Sequence, residues 1–366
     1  MYNIKKDFIP LDQPIFKGNE SKYLLDCVKS GWISWQGKYV GNFEKKFSKY
    51  VNQKYAATTS NGTSALIIAL QALGLKSTDE VIVPSLTFSA SVFAITMAGA
   101  KAVFADSIPG KLEVDPNDII KKITKKTKAI MVVHLYGRPS KMDEIVKISK
   151  KYKLLIIEDC AECLGATYNK QKTGSFGHIS CFSFHNKLIS TGEGGIITTN
   201  DERLYKKVLD LKNPAPDNRS NKKIISLNSR MSNVNAALGL AQLEKLEDFI
   251  KKKRKIVSTY EDLLKNIKGI ELIKEEKNIR STYWRYSILI NKDFPISRNK
   301  LISKLKDKKI IARGIFTPMH LHPIYLNKKK QCQEAVKITE LGLDIPSSIA
   351  LDRSDINYIV KTIASV

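Results

Sequence analysis

The stretch FSFHNKLISTGEGG, residues 182–195, places one lysine, Lys187, between an apolar strand-like run and a glycine-rich turn. Strand signals begin at residue 179 and resume at Gly195, so the turn joins two candidate strands. Burial at a strand end lowers the pKa of a lysine amine, and an amine must be neutral to attack a carbonyl carbon. Most lysines are solvated surface residues, so that alternative stays open for this stretch taken alone.

On both sides of this turn, short β-rich runs alternate with stretches that carry apolar residues at helical spacing. The candidate strands are residues 81–84, 102–105, 129–134, 154–158, 179–184 and 195–199. The candidate helices are residues 64–75, 89–98, 117–125, 142–152 and 202–211. This alternation predicts an α/β fold in which helices cover a mostly parallel sheet.

The C-terminal third of the chain has a different pattern. Residues 233–266 predict one long, lysine-rich helix, and the following hundred or so residues mix helices with strand signals such as Tyr286–Ile290. We therefore expect a large domain over residues 1–245 and a smaller C-terminal α+β domain over residues 246–366.

Composition narrows the possible functions. The net charge of +25 is compatible with nucleic-acid binding, but the lysines are scattered. The short basic runs 251–255 and 328–330 lack the interleaved aromatic residues of a single-strand binding surface. A basic nucleic-acid-binding protein is thus a remote alternative. The positive field also suits an anionic small substrate.

Neither a membrane nor a disulfide framework is expected. Residues 1–7 have no apolar signal region, and no stretch approaches the roughly 18 uninterrupted apolar residues of a membrane span. The chain has five cysteines, of which Cys160 and Cys163 alone have metal-like spacing, with no second pair to complete a zinc site. We expect a cytoplasmic protein without a structural metal.

Two further segments follow candidate strands or open candidate helices, where ligands bind in open parallel sheets. The segment Ser60-Asn61-Gly62-Thr63-Ser64 opens a helix, so its free backbone amides suit a phosphate, although a plain N-cap explains it as well. The segment Glu158-Asp159-Cys160-Ala161-Glu162 ends an apolar strand in carboxylates. A buried carboxylate needs a cation or a full set of donors, and a pyridinium nitrogen is one such partner. A helix N-cap by Asp159 is the alternative.

Taken together, these segments resemble one family, and the resemblance covers nearly the whole chain. The chain is similar to the sugar-nucleotide aminotransferases of the DegT/DnrJ/EryC1/StrS family in motifs that occur in the same order. The motifs are residues 30–34, 60–66, 84–88, 134–137, 158–162, 192–195, 228–233, 239–243 and 318–323. The resemblance implies the fold of aspartate aminotransferase, a fold type I transferase that depends on pyridoxal 5'-phosphate. It also implies a homodimer with shared active sites.

The resemblance also implies cofactor-binding roles for individual residues. Lys187 would hold the cofactor as a Schiff base, Asp159 would pair with the pyridine nitrogen, and Glu162 would lie near the ring. The residues implied around the phosphate and the ring face are Gly62, Thr63, Ser183, Phe88 and, from the neighbouring subunit, Asn228.

On the substrate side, the resemblance indicates positions without individual contacts. These are His185, Arg230, Trp284, Arg313 and His320. The implied reaction takes an amino group from glutamate to carbon 4 of a nucleotide-linked 4-keto-6-deoxy sugar, with a GDP-linked sugar preferred. A dTDP- or UDP-linked sugar, or amination at carbon 3, is the alternative. A related dehydratase has histidine where Lys187 stands.

The chain departs from the family pattern at two places. The segment between Phe184 and Lys187 is one residue shorter than usual, which predicts a displaced Ser183 or a changed orientation of His185. Gly314 follows Arg313 where proline is common, which predicts a looser turn.

Overall fold

The computed structural model describes residues 8–214, 225–326 and 331–366. Residues 1–7 and the lysine run 328–330, both named above, lie outside these ranges. The helices are α1 (Glu20–Ser30), α2 (Lys38–Tyr50), α3 (Gly62–Ala72), α4 (Ser89–Met97), α5 (Pro116–Lys122), α6 (Met142–Tyr152), α7 (Glu202–Lys212), α8 (Asn233–Leu243), α9 (Leu246–Leu264), α10 (Arg298–Asp307), α11 (Gln333–Leu341) and α12 (Arg353–Ala364). The strands are β1 (Tyr55–Thr59), β2 (Glu80–Pro84), β3 (Lys101–Ala105), β4 (Thr127–Val133), β5 (Leu155–Asp159), β6 (Thr167–Tyr168), β7 (Gln171–Lys172), β8 (Ile179–Ser183), β9 (Gly195–Thr199), β10 (Ile270–Leu272), β11 (Ile279–Arg280), β12 (Tyr286–Ile290), β13 (Arg313–Gly314) and β14 (Gly342–Ile345).

A seven-stranded sheet forms the first half of the molecule, in the order β1-β9-β8-β5-β4-β2-β3. Neighbouring strands from β8 to β3 pair in parallel, whereas β9 pairs antiparallel with both β1 and β8. The predicted mostly parallel α/β sheet is therefore confirmed. Strand β1, whose sequence YAATT has weak strand signals, was not predicted.

Helices cover both faces of this sheet because its strand side chains alternate between two apolar cores. Val81 and Val83 pack in the core that contains α3 and α4, whereas Ile82 between them packs in the core that contains α5 and α6. Beyond β8 and β9, helices α2 and α8 cover the second face. With both faces covered, ligands have access mainly at the strand ends.

The single long helix predicted over residues 233–266 is wrong. The chain forms two helices, α8 and α9, with a break at Glu244 and Lys245. The Glu244 carboxylate accepts hydrogen bonds from Asn19, Tyr23 and Lys46 at 2.8 to 3.0 Å. These hydrogen bonds attach the break between the two helices to α1 and α2. Helix α9 continues to the second sheet, where it packs on α12. Periodicity within α8 and α9 does not reveal a change of direction between them.

The C-terminal part contains a four-stranded antiparallel sheet, β10-β12-β14-β13, with helices α9, α10 and α12 around one apolar core. The predicted strand Tyr286–Ile290 is β12. Residues near the N-terminus join this part: Ile9 bridges to Ile310, and the Ser347 N–H donates to the Leu11 carbonyl. The domain boundary near residue 245 stays a prediction, and this N-terminal segment crosses it.

Across the described residues, no helix combines the length and apolar character that crossing a bilayer requires.

Candidate active site

A cavity of about 550 Å³ lies at the carboxyl ends of the parallel strands, between the two parts of the chain. Residues from both parts line it. They are Asn61, Gly62, Thr63, Leu66, Thr87, Phe88, Ala90, Ser91, Val133, Asp159, Ala161, Glu162, Ser183, His185, Asn186, Lys187, Glu193, Trp284, Arg285, Arg313 and Phe316. This is the edge at which open parallel sheets bind ligands.

Lys187 projects its amine into this cavity between an acid and an aromatic ring. Its Nζ lies 3.5 Å from Oε1 of Glu162 and 3.4 Å from the ring centre of Trp284. Burial lowers the pKa of Lys187; the charge of Glu162 opposes this effect, and the charge of Arg285 adds to it. A larger fraction of this amine is therefore neutral at a given pH than of a surface lysine.

Asp159 ends β5 and is buried. Its Oδ2 accepts a hydrogen bond from Oγ of Ser91 at 2.7 Å, and its Oδ1 accepts one from the N–H of Ala161 at 3.1 Å. Burial raises the pKa of Asp159, although both donors favour the charged form. No cation within 4 Å pairs with this carboxylate among the described residues. A cationic group entering the cavity would therefore be attracted to it.

Two other acids of the same segment have different positions. Glu162 accepts the N–H of Tyr136 at 2.8 Å and contacts Lys187, so it belongs to the cavity. Glu158 is fully buried and accepts N–H bonds from Gly174, Phe176 and Gly177. Glu158 therefore stabilises the loop before β8, away from the cavity lining.

The buried group His134, Cys160 and Cys163 has the composition of a metal site, with its potential ligand atoms within 4.8 Å of one another. Both ring nitrogens of His134 are already engaged, Nε2 with Glu158 at 3.0 Å and Nδ1 with the N–H of Ser140 at 3.1 Å. A metal would have to displace one of these hydrogen bonds. His134 instead supports Glu158, which binds the loop before β8.

The segment that begins α3 forms one corner of the cavity. The side chain of Asn61 caps the helix by accepting the N–H of Ser64 at 2.8 Å, which leaves the N–H groups of Gly62 and Thr63 free of that cap. A Cβ on Gly62 would lie 2.6 Å from the Cβ of Ser183, so only glycine allows this approach. The corner combines free N–H groups with a hydroxyl, which suits a phosphate.

Despite the shortened segment before Lys187, Ser183 lines the cavity beside Gly62. Its displacement from a bound phosphate, expected from the sequence, stays a prediction. Within this segment, Asn186 adopts a left-handed conformation with φ of 46°. Its carbonyl accepts the indole N–H of Trp284 at 3.1 Å. His185 is exposed at the rim, where its Nδ1 lies 3.0 Å from Glu193 Oε1.

The second departure, Gly314, also has a physical reason. A side chain at this position of β13 would collide with the guanidinium of Arg298. Gly314 thus leaves room for the Arg298 side chain. Gly314 lies in the paired strand β13, whereas the sequence predicted a looser turn at this position.

The structure brings most sequence-predicted site residues together, but three are not among the cavity-lining residues: Asn228, Arg230 and His320. Asn228 is exposed and accepts a hydrogen bond from Nε of Arg230 at 3.0 Å, while Arg230 lies over Trp35. His320 is buried, with its Nδ1 2.6 Å from the hydroxyl of Ser85. Phe88 and Trp284 do line the cavity.

Sequence reasoning missed several residues that line the cavity. They are Ser91, Arg285 and Phe316, whereas Asn61 and Glu193, which also line the cavity, lie within the predicted segments 60–64 and 192–195. Ser91 lies one helical turn beyond the predicted Phe88, and Arg285 is adjacent to the predicted Trp284. This proximity in sequence is the one signal that pointed to them.

Comparisons with known proteins show the family of this chain. The model of the DegT/DnrJ/EryC1/StrS aminotransferase family matches residues 14–364. The GDP-perosamine synthase of Escherichia coli O157:H7 is 44% identical over 360 residues, which cover 97% of this chain and 98% of the relative. That of Vibrio cholerae is 40% identical over 344 residues, covering 93% and 94%. Among solved structures, the PLP form of Spr1654 from Streptococcus pneumoniae superposes with a TM-score of 0.91 at 25% identity, covering 98% of each chain.

Proposed function

The chain belongs to the DegT/DnrJ/EryC1/StrS aminotransferase family, and on that premise we propose that it moves an amino group from glutamate to carbon 4 of GDP-4-keto-6-deoxymannose, which yields GDP-perosamine. Family membership makes it an aminotransferase that depends on pyridoxal phosphate. The observation that carries the choice of sugar is the near full-length similarity to two GDP-perosamine synthases.

The residues of the cavity fit pyridoxal phosphate at three points. Asp159 is a buried carboxylate without a cationic partner among the described residues, and a protonated pyridine nitrogen would supply one. The corner at Gly62 and Ser183 offers backbone N–H groups and a hydroxyl to a phosphate. Lys187 offers an amine of lowered pKa to an aldehyde.

From this fit we assign the cofactor-binding roles. Gly62, Thr63 and Ser183 would hold the phosphate, Asp159 the ring nitrogen, and Phe88 one face of the ring. Bound pyridoxal phosphate supplies an aldehyde that takes up the amine and a ring that withdraws electrons from the reacting carbon. Burial raises the pKa of Asp159, whereas the hydrogen bonds from Ser91 and the N–H of Ala161 favour its ionised form. An ionised carboxylate at this position would in turn favour a protonated ring nitrogen.

Lys187 also moves the proton of the reaction. When its amine is free and neutral, Nζ accepts the proton from the α-carbon of the donor and later delivers it. Nζ contacts Oε1 of Glu162 at 3.5 Å and the Trp284 ring at 3.4 Å, and these two contacts keep the amine within the cavity. The hydrogen bond from the Trp284 indole to the Asn186 carbonyl fixes the ring beside the lysine.

We propose that the active enzyme is a homodimer with shared sites. Large apolar side chains of α1 and the segment after it are exposed: Leu25, Val28, Trp32, Ile33 and Trp35. Exposed apolar side chains grouped in this way are typical of a protein interface. Asn228 lies near this surface through Arg230 and Trp35, and is absent from the lining of its own cavity. Asn228 would therefore contribute to the cavity of the partner subunit.

A cytoplasmic location also stays a proposal, to be tested by cell fractionation.

Subunit complementation tests the shared site. We expect Lys187→Ala and Asn228→Ala homodimers each to be impaired. Mixed dimers should regain one intact site, which combines Lys187 of one subunit with Asn228 of the other. Activity that stays at the level of the parents after subunit exchange, verified by mass spectrometry, would contradict shared sites.

The substrate is tested with a panel of GDP-, dTDP- and UDP-linked 4-keto-6-deoxy sugars and glutamate as the donor. We expect the GDP-linked sugar to have the highest kcat/KM and NMR of the product to place nitrogen on carbon 4. A higher kcat/KM for a dTDP- or UDP-linked sugar, or nitrogen on carbon 3, would reject the proposal.

A further inference from the structure

Two arginines on the wall opposite the large sheet share one carboxylate. Nη1 of Arg285 lies 3.3 Å from Oδ2 of Asp344, and Nε of Arg313 lies 3.5 Å from the same oxygen. Asp344 is fully buried on β14, and its other oxygen accepts a hydrogen bond from the Ser287 hydroxyl at 2.6 Å. Both arginines line the cavity.

The charges of this cluster do not balance among the described residues. One carboxylate, Asp344, faces two guanidinium groups. Asp12 also interacts electrostatically with Arg285, but Asp12 is paired with the buried Lys253 at 3.5 Å. Arg298 also interacts electrostatically with Asp344 and, to a smaller extent, with Glu340. The cluster thus keeps about one positive charge in excess.

Arg285 also has an unused donor. Its side chain is 11% exposed, and its Nε is buried with no hydrogen-bond partner among the described residues. A buried N–H without an acceptor costs about 1–3 kcal/mol, more for a charged group. An anion bound at this wall would accept that hydrogen bond and neutralise the excess charge.

The cluster lies close to the reacting lysine. The guanidinium of Arg285 is 4.3 Å from the ring centre of Trp284, and Nζ of Lys187 is 3.4 Å from that residue's ring. Both cations contact Trp284, and the charge of Arg285 acts on Lys187, so an anion held by Arg285 would lie near the amine of Lys187. Arg313 is 41% exposed and faces the open side of the same wall.

We propose that Arg285 and Arg313 bind a carboxylate of the amino donor, an inference that rests on the proposed function. The donor's α-carboxylate is one bond from the reacting carbon, so it must lie near Lys187. The diphosphate of the sugar nucleotide is separated from carbon 4 by the pyranose ring and lies farther away. The planar guanidinium matches a carboxylate through paired N–H bonds, and the second arginine supplies the charge that Asp344 leaves uncompensated.

The test is calorimetric titration of the holoenzyme with two probes, glutarate, a dicarboxylate that lacks the amine, and GDP. We expect Arg285→Met to weaken glutarate binding about tenfold to a hundredfold, as the loss of charge-assisted hydrogen bonds implies. GDP binding should change less than threefold. Arg285→Lys, which keeps the charge without the planar fork, should have an intermediate effect. Arg203→Met on exposed α7 is the matched control and should leave both titrations unchanged.

The other outcomes overturn the proposal. Weakened GDP binding with unchanged glutarate binding would assign the cluster to the diphosphate. Equal loss of both probes, or no loss of either, would leave the arginines with a structural role only. If Arg285→Met does not fold, Arg313→Met carries the same test, because its side chain is partly exposed. Glutamate and GDP-sugar turnover by the unmodified enzyme tests the proposed function separately, so the two failures are distinguishable.

Discussion

Replacing Gly62 by alanine tests the phosphate corner. The added Cβ would lie 2.6 Å from the Cβ of Ser183 and 2.9 Å from its hydroxyl oxygen, whereas carbon atoms in contact normally stay about 3.5–4.0 Å apart. The start of α3 and the end of β8 would have to separate by about 1 Å. Both belong to packed elements, so we expect the cost of overpacking, about 1–3 kcal/mol.

This strain falls on the two elements that would hold the phosphate. We expect Gly62→Ala to weaken binding of pyridoxal phosphate to the apoenzyme roughly five- to a hundredfold, because each loss of about 1.4 kcal/mol in binding free energy lowers the affinity tenfold. The assay is titration of the apoenzyme, followed by the absorbance of the bound cofactor, with the thermal midpoint of the apoenzyme measured in parallel. We expect that midpoint to fall as well.

The matched control is Gly41→Ala within α2. A Cβ on Gly41 meets nothing within 4 Å, so the substitution adds helix propensity without a collision. We expect it to stabilise the protein by about 0.5–1 kcal/mol and to leave cofactor affinity unchanged. If Gly62→Ala binds the cofactor and unfolds like the unmodified protein, the close approach of α3 and β8 does not form the binding corner.

Three further predictions follow from the buried ionisable groups. Lys187→Ala should bind the cofactor without a covalent link, so borohydride should fix no label in the variant; a reduced and labelled variant would contradict the assignment. Because burial lowers the pKa of Lys187 and the Arg285 charge adds to this effect, covalent attachment to the apoenzyme should accelerate with pH to a midpoint below 10.5, and Arg285→Met should raise that midpoint; a midpoint unchanged in the variant would reject the coupling. Burial opposes but does not cancel the hydrogen bonds, from His134 and from backbone N–H groups, that lower the pKa of Glu158. Its carboxylate therefore contributes stability above pH 4.5 that is lost as the pH falls through the lower folded-state value. In a plot of unfolding free energy against pH, Glu158→Gln should flatten this decrease at acid pH. The variant should also lose about 1–3 kcal/mol of stability at neutral pH, because a buried N–H donor loses its acceptor. An unchanged decrease at acid pH would contradict this role of Glu158.

Most strands of the large sheet could be predicted from the sequence because the signals that indicate them are local. Strands β2, β4, β5, β8 and β9 are mostly buried, and the edge strand β3 is buried at its carboxyl end. Each is therefore a short apolar run between polar or glycine-containing turns. The motifs at Gly62, Asp159 and Lys187 follow or precede these runs directly. Since the ends of parallel strands meet at one edge, their convergence on one cavity could be expected.

Long-range contacts decided what local signals do not contain. The bend between α8 and α9 depends on Asn19, Tyr23 and Lys46, which are about 200 residues away from Glu244 in the chain. The N-terminal segment at Ile9 likewise joins the C-terminal part of the chain through a long-range contact, its bridge to Ile310. Neither contact leaves a pattern within the segments that make it.

The sequence by itself determined the fold class and the family, and it pointed to the lysine and the carboxylate that we propose for the chemistry, because these depend on residue type, spacing and strand periodicity. Only the tertiary structure separated the roles of Glu158, Asp159 and Glu162: three acids in five residues differ in which donors surround them, and those donors come from other elements. The structure alone also identified Arg285, whose charge is unremarkable in a chain of 61 Lys and Arg residues. Its position beside Trp284 and Asp344 is set by the pairing of β12 with β14, which leaves one guanidinium uncompensated next to Lys187.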